Sequence, residues 1–435
     1  MGFKWSTTTV DEIKATTPNS VAMGPFGSRI KTDNFVPVGV PVIRGINLNG
    51  ERFNSAEFVF LTEEKADELK SANVFPGDIV FTHRGTLGQV GIVPRDGQYE
   101  RYVISQSQMK LSCDLKKTDP YFVFYFFKSP MGQHALLANT STTGVPAISR
   151  PSSSLKDIEI PLPPLPEQRA IARILGCLDD KIELNRRMNQ TLKKVARAIF
   201  KSWFVDFDPV RAKMEGHAQV GMDAETAALF PDQLEESEQG MVPKGWEVVK
   251  LEEVIEVHDS KRVPLSGRVR AQRQGLYPYY GAASIMDYVD DYIFDGIYIL
   301  MAEDGSVIDN KNHPVVQYVW GKFWVNNHAH ILKGACDISN EHLMLFLKQL
   351  NILPYVTGAV QPKLNQQNMR RIPFVKPSPQ LCETFSHKIS PLFAHIRANT
   401  EESRTLAAIR DALLPKLISG EIRVKDAEKY VEWCP

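Results

Sequence analysis

The residues best suited to chemistry are cationic and amide side chains beside glycine turns. Lys261, Arg262, Arg268, Arg270 and Arg273 crowd the stretch KRVPLSGRVRAQRQG at 261–275, with no acid among them. Its glycines and prolines predict a loop. A basic flexible loop can track phosphates, and an arginine fork can read guanine bidentately. Earlier in the chain, Arg29 in FGSRIK, Arg44 in VIRG, and His83 and Arg84 in THRG stand beside turn glycines. Gln106 and Gln108 in YVISQSQMKL alternate along a predicted strand, as base-reading amides would. Asn327 and His328 in NNHAH occupy the matching place further on. A solvated loop is the plain alternative for any one of these residues. Their recurrence in two parts of the chain favours DNA contact.

Motifs for catalysis are missing. There is no GxxxxGK phosphate loop, no GxGxxG dinucleotide turn, no GxSxG elbow and no HExxH. GTLGQVG at 85–91 spaces its glycines differently and reads as a β-turn. His328 and His330 are two apart and would share one face of a strand, but no Cys or acid nearby in sequence completes a metal set. Pro231-Asp232 with Glu235 and Glu236 lacks the Glu-x-Lys of a nuclease. Formal net charge is zero, so any polyanion site must be a local patch. The five cysteines are scattered without zinc spacing and are expected to be buried free thiols. The N-terminal stretch lacks the apolar core of a signal peptide, and YFVFYFF at 121–127 is too short to cross a bilayer. A cytoplasmic protein with no membrane partner is the expectation.

Two long helices must position these groups. From Ile171 the apolar steps run Leu175, Leu178, Ile182, Asn185, Asn189, Leu192, Ala196, Ile199 and Trp203, alternating four and three. That is the heptad seam of a coiled coil, with two asparagines at its centre where polar residues can fix register. The same seam runs through Ile389, Leu392, Ile396, Asn399, Ser403, Leu406, Arg410, Leu413 and Leu417. Asn399 stands 214 residues after Asn185, and Leu406 stands 214 after Leu192. Pro391 falls inside the second helix and predicts a kink.

Each helix follows a β-rich block. The predicted divisions are a first block at 1–162, a first helix at 163–204, a connector at 205–242, a second block at 243–376, and a second helix with its tail at 377–435. GIYILMAEDGSVI parallels GDIVFTHRGTLGQVGI, and FWVNNHAHIL parallels YVISQSQMKL. Gly358 and Ile372 each stand 214 residues after Gly144 and Ile158. The chain reads as a diverged internal repeat of α+β class.

Taken together, these features resemble the specificity subunit of type I restriction–modification enzymes. PLPPLPEQRAIARIL with DDKIELNRRMNQTL is similar to the family's first spacer, and LLPKLISGEIRV closes the chain as those subunits close. The second block lacks clean copies of FGSRIK and HRGTLG. The resemblance implies two target-recognition domains, each reading one half of a bipartite asymmetric site in double-stranded DNA. It implies that the helices pair as an antiparallel coiled coil through Leu178, Ile182, Asn185, Asn189 and Leu192 on one side and Leu392, Ile396, Asn399, Ser403 and Leu406 on the other. About 38 helical residues at 1.5 Å each would reach roughly 57 Å, enough to separate two readers by a helical turn of DNA. It implies no catalysis and no cofactor in this chain. Two methylation subunits would carry S-adenosylmethionine and the adenine N6 chemistry, and restriction/translocase subunits would carry ATP and Mg. Ile174 and Ile409, outside the seam, are expected to face the methylation subunits. The alternatives are a self-contained DNA methyltransferase or nuclease with cryptic motifs, or a protein-binding scaffold. DFDP at 206–209 is the nearest approach to a methyltransferase tetrapeptide and lacks its second proline.

Overall fold

A computed structural model describes residues 5–428, except 51, 56, 142, 143, 359 and 360. The chain forms two compact units, one of residues up to Arg186 together with those from Thr400, the other of Arg187–Asn399.

The first unit holds two four-stranded sheets. One runs Val21–Met23, Gln108–Leu111, Ile79–Thr82, Val90–Ile92, all antiparallel. The other runs Val59–Leu61, Val40–Ile43, Tyr102–Ile104, Asn73–Val74, and its central pair is parallel. Thr7–Thr9 pairs with Glu159–Pro161 and joins the two ends of the block. The strands Ile79–Thr82, Val90–Ile92 and Gln108–Leu111 are buried throughout, because the aromatic helix Pro120–Lys128 covers their sheet. Phe127 meets Phe81 edge to face at 4.8 Å. Each such ring contributes about 2–3 kcal/mol by leaving water. Asp119 caps this helix by accepting from the amides of Tyr121 and Phe122. Thr62 caps Glu63–Glu68 in the predicted manner, accepting from the Lys65 amide.

Three predicted elements are broken differently. YVISQSQMKL is two strands, separated by a turn at 105–107. DPYFVFYFFKSPMGQHALLAN is two helices, Pro120–Lys128 and Pro130–Leu137, because Pro130 has no N–H to continue the first. The basic stretch at 261–275 contains a helix, Gly267–Gln272, capped by Ser266.

The second unit repeats the plan. Its sheets run Ile255–Val257, Ala329–Gly334, Tyr298–Ala302, Val316–Val319, and Ile285–Val289, Gln274–Tyr280, Lys322–Val325, Phe294–Asp295. The second again has a central parallel pair. Glu247–Lys250 pairs with Pro373–Lys376 as the closing strands do in the first unit. The connector folds into short helices, Asp208–Met214 and Ala224–Ala228, and a hairpin, Leu234–Ser237 with Gly240–Pro243.

The long helices span Leu165–Phe204 and Pro379–Ser419, and the second continues through Pro391. They run antiparallel in each unit. In the first, Asp179 meets Arg410 while Asn185 meets Ser403. In the second, Asn189 meets Asn399 while Phe200 meets Phe385. Leu178 and Leu406 are buried in the first unit's core with Ile182 against it; Ile396 is buried in the second unit's core with Leu192 and Leu392 against it. The docking expectation is corrected for Ile174. Ile174 is 1% exposed inside the first core, and Ile409 is half-buried against the same core.

Among the cysteines, Cys113 and Cys382 are buried free thiols, and burial pushes the Cys382 thiol up to about 12. Cys336 is an exposed free thiol, so the expectation of buried free thiols does not hold there. No helix among the described residues is long and apolar enough to cross a membrane.

Candidate nucleic-acid interface

In the first unit the two sheets end at one edge. Thr82 pairs with Gln108, Met23 with Met109, and Ile43 with Ile104, so the loops that follow or precede these residues converge there. The His83 amide donates to the Ser107 carbonyl, the Gly24 amide to the Gln108 carbonyl, and the Gly85 amide to the Pro146 carbonyl. Gly24 is required by this convergence, because a Cβ there would strike the Ser105 carbonyl oxygen.

Arg29, Arg84 and Gln106 are exposed on this edge. So are Phe26, which is 68% exposed, and Arg150, neither of them among the predicted contacts. Arg150 adopts a left-handed backbone with φ 45; its place in TGVPAISR was the available signal. Arg44 is half-buried, and its Nη2 donates to the Glu57 carbonyl at 2.6 Å.

Two predicted contacts are corrected. Gln108 is 1% exposed, and its side chain bonds Thr82 and Ser105. The turn at 105–107 breaks the alternation that would have put it beside Gln106. His83 is 5% exposed, with Nε2 3.1 Å from the Gln106 carbonyl. Burial holds its pKa below the usual histidine range, so it is a neutral brace under the turn that presents Gln106.

The corresponding edge of the second unit is built by the same pairings, Ala302 with Ala329 and Tyr280 with Val325. Here Lys261, Arg268, Asn327, His328 and Lys363 are exposed. Lys363 was missed by the sequence reading because it lies beyond TGAVQP without a motif of its own. His328 Nδ1 is paired with Asp304 at 2.7 Å. His328 lies in a turn and His330 in the buried strand that follows, so the two do not share a face.

The acid-free reading of 261–275 is corrected too. Acids distant in sequence reach Arg262, Arg270 and Arg273. Arg262 bonds Glu303 at 2.8 Å and the carbonyls of Asn327 and Ala329. Arg270 bonds Asp287 at 3.1 Å and lies over the Tyr279 ring. Arg273 bonds Asp290 at 2.8 Å and lies over the Trp324 ring. These three shape the loop, while Lys261 and Arg268 project from it.

Asp259, Glu303 and His330 gather closely enough to suggest a metal site. His330 Nδ1 faces Asp259 at 2.6 Å and Nε2 faces the Leu364 carbonyl at 2.9 Å. Nε2 is engaged by the backbone, and Nδ1 is the ring nitrogen turned towards the carboxylates of Asp259 and Glu303. Burial pushes the Asp259 carboxyl upward, but His330, the Ile331 amide and Arg262 outweigh it and hold the carboxyl below its usual range. The cluster ties the basic loop to the strand ends.

Among the described residues, each edge offers separated cations and amides on the turns beyond the strand ends, and no nucleophile, base and oxyanion donors are brought together. Such a surface can grip phosphates and read base edges. Comparison with known proteins is consistent with this chemistry. A family model described as the type I restriction modification DNA specificity domain matches residues 26–194 and 243–405. The chain is 26% identical over 397 residues to the type I restriction enzyme MjaIX specificity subunit of Methanocaldococcus jannaschii, covering 83% of this chain and 82% of that one. It is 26% identical over 412 residues to the type I restriction enzyme HindI specificity subunit of Haemophilus influenzae, covering 80% and 86%. The crystal structure of a type I restriction–modification S subunit from M. genitalium shares the fold, with a TM-score of 0.56 at 19% identity over 95% of this chain and 96% of that one.

Proposed function

Because the chain belongs to the type I restriction–modification DNA specificity family, we propose that each of its two recognition domains reads one half of a bipartite, asymmetric site in double-stranded DNA. The family role is non-catalytic: the specificity subunit acts within a type I restriction–modification system. The finer reading is ours. Two methylation subunits dock on this chain and supply S-adenosylmethionine and adenine N6 chemistry. Restriction/translocase subunits supply ATP- and Mg-dependent cleavage, and the assembly works in the cytoplasm.

The observation that carries the reading is the repeated edge with unlike residues. The same pairings present Arg29, Arg84 and Gln106 in one unit and Lys261, Arg268 and Asn327 in the other. One scaffold with two different contact sets suits two different half-sites. The test is single-molecule methylation mapping of host DNA with and without this gene. Loss of N6-methyladenine from one split, non-palindromic motif on deletion is expected. An unchanged pattern, persisting when the chain is co-expressed with its methylation partner, overturns the reading.

A further inference from the structure

Asp179 of the first long helix is 2% exposed. Its Oδ1 accepts from Arg410 Nη1 at 2.8 Å. Its Oδ2 accepts from Tyr125 Oη at 2.6 Å and from Arg52 Nε at 3.3 Å. Arg52 also bonds Asp180 at 2.8 Å and the Gly176 carbonyl. One carboxylate therefore ties four segments of the first unit: the loop at 52, the aromatic helix, and both long helices. Around it the joint is packed by Ile174, Leu175 and Leu178 in the shared core, and a separate buried link, Gln168 with Thr118 and the Asp119 amide, holds the start of the aromatic helix.

Apolar contact is non-directional and tolerates small rotations. Hydrogen bonds to two arginine forks and a tyrosine are directional. A buried ion cluster adds little net stability over an apolar core of the same volume, so its distinctive contribution is a single arrangement. The second unit has its own version, in which Arg397 of the second long helix reaches Tyr318 Oη at 2.5 Å and Glu341 at 3.6 Å. Tyr318 in turn bonds Glu341 at 2.5 Å.

We propose that Asp179, with Arg52, Tyr125 and Arg410, is a positioning centre that fixes the angle of the first recognition domain on the helix pair and so restricts the spacing between half-sites that the protein accepts. This rests on the bipartite reading above. A loose joint would let the domain swing and reach half-sites one base pair nearer or farther. A locked joint rejects them.

The test uses the full complex with its methylation subunits, on duplexes that hold both half-sites constant and vary their separation by single base pairs. The readout is the methylation rate at the native spacing divided by the rate at one base pair more or less. Tyr125→Phe and Asp179→Asn should lower this ratio about tenfold, the scale of one lost charge-assisted hydrogen bond, with base preferences inside each half-site unchanged. Tyr125→Phe keeps the ring in its core and decides the matter where Asp179→Asn fails to assemble. An unchanged ratio in folded, assembled Tyr125→Phe overturns the proposal. A wild-type complex that methylates no split site overturns the bipartite reading itself, and the proposal with it.

Discussion

Asn399 donates its side-chain amide to Asn189 Oδ1 at 3.0 Å across the helix pair of the second unit. In the first unit Asn185 donates to Ser403 at 3.3 Å and to the neighbouring Glu402 carboxylate at 2.7 Å. The pairing is reciprocal. Asn399 is the repeat counterpart of Asn185, and Ser403 the counterpart of Asn189. Each polar position thus finds its partner at the other polar position of the opposite helix, and a slip of either helix would leave amides facing leucines.

Register therefore costs stability, and the cost is measurable. Asn399→Leu alone should destabilise the chain by about 1–2 kcal/mol, because it removes the donor to a half-buried oxygen. Replacing Asn189 and Asn399 together by leucine should recover most of that loss. A double-mutant cycle by chemical denaturation reads the coupling, and additive single effects would contradict a paired layer.

Acid sensitivity of the second unit should trace to His342. This side chain is 2% exposed, packed on Phe204 at 4.7 Å and Phe385 at 5.1 Å, and its Nδ1 has no hydrogen-bond partner among the described residues. Burial lowers its pKa from 6.5 to about 3. Below pH 6.5 the unfolded chain takes up a proton that the folded chain refuses. Stability therefore falls as pH drops from 6.5 towards 3, by up to about 1.4 kcal/mol per unit. His342→Phe should flatten that slope and raise the melting temperature at pH 5. A slope equal to wild type would exclude His342 as the source.

Arginines of the basic loop should divide by partner. Arg262→Ala strips a partly buried cation from Asp259 and Glu303, and should cost about 3 kcal/mol or more. Arg268→Ala should leave melting unchanged, weaken duplex binding, and reduce the slope of log affinity against log salt by about 1. Equal loss of stability in both variants would remove the distinction between loop-shaping and projecting residues.

The parts legible in sequence are those set by local rules. The heptad seams depend only on a repeating step, and the 214-residue offset marks the duplication in the sequence itself. The cap at Thr62 is likewise local. The break at Pro130 was legible in the residue itself and was overridden by the aromatic run around it. What failed depended on distant chain. The turn at 105–107 is fixed by the His83 amide on the Ser107 carbonyl. Arg270 and Arg273 are neutralised by Asp287 and Asp290, which a neighbouring strand brings alongside. Gln108 and Ile174 carry no mark of their burial, because the covering elements lie far along the chain.

The most direct test of one scaffold reading two half-sites is methylation mapping of the assembled complex on a random-sequence duplex library, with Gln106→Ala in the first edge and, separately, Asn327→Ala in the second. Each substitution should relax base preference in one half of the motif only, the two variants should affect opposite halves, and Gln108→Ala should lower melting temperature instead. Relaxation of both halves by either single substitution, or of the same half by both, would contradict the assignment of one edge to each half-site.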